Sequence, residues 1–369
     1  MNAAWLLNPR NALLVALAIV ATLYLALIVR ATMRGVQEGD RGTPSAGGIG
    51  TGFVTNFFDT LGIGSFATTT TIFRLHLTAA QKRMWAIVFG LLAAVLAIVI
   101  GFVRPDLIFG RGMWFGATII AVLLMAVVVL YFGENVDDKV IPGTLNVGHT
   151  VPTIAQAFIF TTLVPVDPKT LIALIVAAVL GAWIGAGIVA RWPRRRIQFG
   201  MGVALLVFAV FLIAALAKQS PTAGTQLELT GTKLLIGFLG NFALGALMTL
   251  GIGLYAPCMV MIYMLGMNPT AAFPIMMGSC AFLMPVASAR FVRERSFNLR
   301  ASLGLLIGGL PAVLLAALIV KSLDLTVVRW LVLAVVLYTA AGLIRAAARS
   351  KETSSSPASA PSGASAAVS

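Results

Sequence analysis

Thr60-Leu61-Gly62-Ile63-Gly64 recurs further along the chain as Thr249-Leu250-Gly251-Ile252-Gly253. The match extends in the same register, with Phe53 opposite Phe242, Phe66 opposite Tyr255 and Ala67 opposite Ala256. After a small gap, Thr78-Ala79-Ala80 meets Thr270-Ala271-Ala272. Each copy sits inside an apolar segment, 46–73 or 233–265, that is too long for one bilayer crossing. Glycine pairs with neighbouring hydroxyl residues favour a break there over one straight helix. Downstream, Leu171–Ala190 with Gly181 and Gly185 matches Leu303–Val320 with Gly308 and Gly309, and each is followed by a short loop and one more helix.

The chain around this repeat has 369 residues, 59% hydrophobic and 10% charged, with 26 Lys and Arg against 12 Asp and Glu. Globular chains are roughly half apolar and a quarter charged, so this one lacks the polar residues to cover a water-facing surface. The composition predicts an all-α polytopic transmembrane bundle. Besides the two broken segments, plain crossings are read at 11–30, 84–103, 113–132, 146–164, 169–190, 197–217, 270–289, 301–320 and 326–345. Arg30, Arg34 and Arg41 follow the first run and only Arg10 precedes it, which suits a retained span entering from outside rather than a cleaved signal. The tail 350–369, rich in Ser, Ala and Pro, is expected to be disordered.

The arginine clusters set the orientation. Arg191 and Arg194 to Arg196, then Arg290, Arg293, Arg295 and Arg300, then Arg345, Arg349 and Lys351 all read as cytoplasmic, with the C-terminus inside. This is consistent if both broken segments are re-entrant or folded back. Segment 169–190 then runs inward and its counterpart 301–320 outward, so the halves are inverted. Paired broken helices in inverted repeats are an architecture of secondary transporters, with substrate bound where the breaks meet. Close helix packing is the competing role for either glycine pair taken singly. The expected organisation is an anchor and loop at 1–45, a first repeat at 46–217 with an inserted hairpin 84–132, a second repeat at 218–349, and the tail.

Of the acidic residues, only Asp59 lies within an apolar segment, immediately before the first break. An intramembrane carboxylate marks a functional site or a buried partner. Asp59 is read either as a proton acceptor that couples transport to the proton gradient or as a cap for the half-helix starting near Gly62. The expected substrate-binding set is Asn56, Gly62, Ile63, Gly64, Ser65 and Thr68 at the first break, and Asn241, Gly251, Ile252, Gly253, Tyr255, Pro257 and Cys258 at the second. Asn56 and Asn241 can donate to an anion or bond helix to helix. Pro257 suits the first turn of a new half-helix. Cys258 and Cys280 read as small apolar side chains, and His76 and His149 as residues near segment ends, with no metal site. No nucleophile motif, phosphate loop or basic aromatic patch occurs, so enzyme activity, cofactors and nucleic-acid binding are not expected.

These residues resemble the TauE/SafE sulfite exporter family, also called the toluene sulfonate uptake permease family. The resemblance rests on the two glycine breaks and on Val166, Asp167 and Pro168 leading through Leu171 into Gly181, Ala182, Trp183, Ile184, Gly185, Ala186 and the arginines. It also rests on Pro257, Leu265, Gly266, Ala271 and Ala272, and it covers about 46–345 without the hairpin. The chain departs from that pattern in its extra N-terminal span and in Ser65 and Leu254 after each second glycine. The resemblance implies a bacterial inner-membrane permease for small sulfur-containing anions such as sulfite, sulfonates or thiosulfate, proton-linked and compatible with a homodimer. An anion channel on the same repeat, a carrier of another small organic anion and an assembly protein without a permeant are the alternatives.

Overall fold

In the computed structural model the described residues are 8–37, 42–74, 78, 80–88, 90, 91, 94, 113–133, 136–189, 194–217, 224–248, 253–322 and 325–355. They form helices α1 (Pro9–Gln37), α2 (Ala46–Thr60), α3 (Ser65–Phe73), α4 (Met113–Phe132), α5 (Ile141–Leu163) and α6 (Pro168–Val189). The second half adds α7 (Arg194–Ala217), α8 (Gly231–Met248), α9 (Tyr255–Met264), α10 (Ala272–Arg293), α11 (Leu299–Ser322) and α12 (Leu325–Ser355). No strand occurs among the described residues, where Gln226 and Met267 form only an isolated bridge. Four stretches, Pro9–Gln37, Gly231–Met248, Pro269–Arg293 and Leu299–Val320, are long and apolar enough to cross a bilayer. At about 1.5 Å per residue, α1 runs roughly 43 Å, beyond the ~30 Å of a hydrocarbon core. Its outer face carries Ile19, Leu23, Val29 and Met33, all more than half exposed, as a lipid-facing surface does. The chain is therefore an all-helical bundle with the lengths and faces of a membrane protein.

The first break forms as the glycines require. α2 ends at Thr60, and Gly62 takes φ +96°, which lets the Gly62 N–H reach the Asp59 carbonyl and the Ile63 N–H reach the Phe58 carbonyl. This reversed double bond is the glycine-terminated helix end that satisfies the last carbonyls. Gly64, also left-handed at φ +85°, then turns the chain into α3 at Ser65. The second broken segment likewise divides into two helices, α8 and α9. Residues 249–252, with Gly251 and Ile252, lie outside the described residues. Its first arm, α8, has 18 residues, and the chain entering α8 meets the chain leaving α9, with the Gln226 N–H bonded to the Gly266 carbonyl and the Asn268 N–H to the Gln226 carbonyl. α12 continues as helix to Ser355, through the first six residues of the tail read as disordered, and the rest of that tail, 356–369, lies outside the described residues.

Packing is arranged around α5 and α10. α2 lies on α11 backbone to backbone through glycines. A Cβ on Gly52 would fall 2.6 Å from the Leu305 Cα, one on Gly304 would fall 2.6 Å from the Gly48 carbonyl carbon, and one on Gly308 would overlap the Ile49 carbonyl oxygen. Such stripes of small residues let apolar helices gain dispersion contact where no hydrophobic effect drives them together. The contacts recur in matching pairs. α2 packs on α11 as α8 packs on α6, α11 packs on α5 as α6 packs on α10, α5 meets α10, and α7 meets α12. Thr150 of α5 bonds Ser288 of α10 at 3.0 Å, and Phe160 stacks on Phe273, so α5 and α10 run antiparallel. α7 and α12 do likewise, with Arg195 bonded to the Ala347 carbonyl and Gly202 facing Ala340 and Ile344.

Candidate functional site

A buried polar network lies against the first break, in the seam between α2, α3, α5 and the start of α9. Asp59 occupies the last turn of α2 and is 2% exposed. Its Oδ1 accepts the Ser65 N–H at 2.6 Å, capping the first residue of α3 across the break. Its Oδ2 accepts from Gln156 Nε2 at 3.0 Å and, at a long 3.5 Å, from the Tyr255 hydroxyl. Tyr255 lies nearer the Gln156 Oε1, at 3.2 Å. Gln156 Nε2 also donates to Thr60 Oγ1 at 2.8 Å, whose own proton goes to the Asn56 carbonyl. The carboxylate thus has donors from three helices besides its own, which is what a buried charge or a buried proton-binding oxygen demands.

The network continues along α5. His149, Thr153 and Gln156 have the spacing of one helix face and are buried to 1% or less. His149 contacts Asn56 Oδ1 through Nδ1 at 3.1 Å and Thr69 Oγ1 through Nε2 at 2.9 Å. Asn56 Nδ2 donates to the Gly52 carbonyl at 2.8 Å. The two broken segments meet here. Tyr255, in the first turn of α9, reaches Asp59, and a Cβ on Gly62 would fall 2.9 Å from the Met259 Cε of α9. Beside both breaks there is open space, since a Cβ built on Gly64 or on Gly253 meets nothing within 4 Å.

The structure brings Asn56, Asp59, Gly62, Ser65 and Tyr255 of the sequence-derived set into this one region, with Ile63 and Gly64 in the turn between them. The Thr68 hydroxyl is engaged by its own helix, at the Ser65 carbonyl. Asn241 stands apart. Its Nδ2 bonds the Leu174 carbonyl at 2.6 Å and Ser279 Oγ at 3.2 Å, joining α8 to α6 and α10, while its Oδ1 is buried without a partner. Pro257 lies in the first turn of α9 as the sequence suggested, and Cys258 is fully buried beside it in the main apolar cluster. Gly251 and Ile252 fall outside the described residues. The residues that sequence reasoning passed over are Gln156, His149 and Thr69. His149 is not near a helix end, because α5 begins at Ile141, five residues before the expected start at 146, and places the ring in its third turn. A count of polar residues spaced three and four apart on one face would have found the stripe.

Among the described residues no group of three or more His, Cys, Asp or Glu is placed to hold a metal ion. The side chains gathered here offer hydrogen bonding and proton binding. The arrangement combines one carboxylate, two side-chain amides, an imidazole, a phenol and hydroxyls around two helix breaks with open space beside them. Comparison with family models, with curated proteins and with solved structures finds no match to this chain.

Proposed function

We propose that this chain is a secondary carrier for a small anion, built from two inverted repeats and coupled to protons through Asp59. The observation that carries the reading is that both broken segments meet at one buried polar site holding one carboxylate. Irregular backbone at membrane depth is tolerated where it lines a cavity, and paired breaks at a repeat interface are where such carriers bind substrate. The paired helix contacts support the two repeats, since exchanging α2, α5, α6 and α7 for α8, α10, α11 and α12 carries the major contacts onto one another: α2 on α11 onto α8 on α6, α5 on α11 onto α10 on α6, and α5 on α10 and α7 on α12 each onto itself. The antiparallel runs of α5 against α10 and α7 against α12 support the inversion.

Coupling follows from charge. Asp59 already holds the Ser65 N–H, a donor that an anion at the start of α3 would otherwise take. An ionised Asp59 and an anion beside it repel strongly at low effective dielectric, whereas a protonated Asp59 does not. Anion and proton therefore occupy the site together and leave together as the repeats rock about it. The family resemblance directs the substrate class to sulfite, thiosulfate or a short sulfonate. The test is flux of these anions into proteoliposomes with and without an inward proton gradient. Gradient-driven uptake is expected, and Asp59→Asn is expected to retain binding but lose the response to the gradient. Absence of flux for every one of these anions overturns the reading, and gradient-independent flux far above carrier turnover would make the protein a channel.

A further inference from the structure

We propose that His149 is a positioning residue of the transport site, acting through Thr69 to latch half-helix α3 against α5. This rests on the carrier reading for its purpose, though not for its geometry. α3 is the lightly held member of the two half-helices. It buries one stripe, Ser65, Thr69 and Phe73, and packs chiefly on α2 and α5, leaving Ala67 and Thr71 exposed on its other side. Its counterpart α9 buries Tyr255, Ala256, Cys258, Met259 and Ile262 and is enclosed by α7, α8, α10 and α12. α3 also carries four consecutive threonines, and three of them return their protons to their own helix: Thr68 to Ser65, Thr70 to Phe66 and Thr71 to Ala67. Thr69 alone of the four turns outward, to His149 Nε2.

The chemistry of the neighbours fixes the direction of that bond. Asn56 Nδ2 points at the Gly52 carbonyl, so Oδ1, an acceptor only, faces the His149 Nδ1. Nδ1 must therefore carry the ring proton, and the lone pair of Nε2 accepts from the Thr69 hydroxyl. The imidazole is thus held by α2 on one side and holds α3 on the other, four residues along α3 from the bond between Ser65 and Asp59. Loosening the latch frees the start of α3, and with it the donors at the first break.

Two near-isosteric substitutions separate the two bonds. His149→Gln places a side-chain oxygen where Nε2 accepts from Thr69, and His149→Asn keeps only a donor to Asn56. With the native cysteines buried, a Thr71→Cys reporter on α3 reads mobility through its labelling rate by a membrane-impermeant maleimide. His149→Asn and Thr69→Val are expected to raise that rate about three- to tenfold, the effect of losing one buried hydrogen bond, and to raise the KM for anion uptake more than they lower kcat. His149→Gln and Thr69→Ser are expected to recover both towards the wild-type values. Equal labelling of the Asn and Gln variants, or a lowered Tm in both with unchanged KM, overturns the latch. Failure of the carrier reading is separately visible as absence of uptake by the wild-type protein, in which case the labelling pattern still decides.

Discussion

Asp59 and Gly62 concentrate the demands of the site at two neighbouring positions. Asp59 satisfies the Ser65 N–H, the Gln156 amide and the Tyr255 hydroxyl, so Asp59→Ala leaves buried donors without an acceptor. It is expected to lower stability by about 1–3 kcal/mol, measurable as a lower Tm in detergent, whereas Asp59→Asn preserves an acceptor and is expected to lose much less. Gly62 sits at φ +96° with Met259 Cε 2.9 Å from where a Cβ would stand. Gly62→Ala therefore meets both left-handed strain, about 1–2 kcal/mol, and a close contact with a flexible methionine end. The expected result is a lower Tm with the fold retained. Asp59 was legible from the sequence, because a lone carboxylate in an apolar run is conspicuous. Gln156 and His149 left only their shared helix-face spacing as a signal, and Thr69, one of four consecutive threonines, left none, because their partners lie 80 to 97 residues away.

At the scale of elements, the first break was readable from Gly62 and Gly64 and the helix positions from the apolar runs. However, α5 starts five residues earlier and α12 ends ten residues later than expected, and most of the expected crossing 84–103 lies outside the described residues. The glycines of α2 were harder to interpret, since Gly48 and Gly52 look like weak helix formers until Gly304 and Gly308 are brought against them. Gly308→Leu tests that seam. Its side chain must displace the Ile49 backbone, which cannot give way as a side chain does, so the cost is expected to exceed the about 1–3 kcal/mol of ordinary overpacking. Loss of a monodisperse peak on size exclusion is the measurement. A leucine at Gly200, whose Cβ direction is open, is the control and is expected to behave as wild type. Asn241 shows the opposite failure of sequence reading. Its proximity to the second break suggested a substrate contact, whereas α8 turns it onto the Leu174 carbonyl and Ser279.

At the scale of the whole molecule, the proposed inverted arrangement implies a definite sidedness. Glu228 lies in the connection between α7 and α8, and Glu294 in the connection between α10 and α11. If the arginine clusters face the cytoplasm, Glu228→Cys is expected to react with an impermeant reagent added to intact cells and Glu294→Cys only after permeabilisation. Equal labelling of both from outside would remove the inversion. α1 stands outside the matched helix pairs, yet it packs on α5, and its Tyr24 hydroxyl donates to the Val147 carbonyl at 2.9 Å. That bond joins residues 123 positions apart. At about 5–20 residues per second of synthesis, the Tyr24 hydroxyl precedes its acceptor by roughly 6–25 s. During synthesis, then, the Tyr24 bond is among the last that α1 makes, closing only when α5 has been added to the chain.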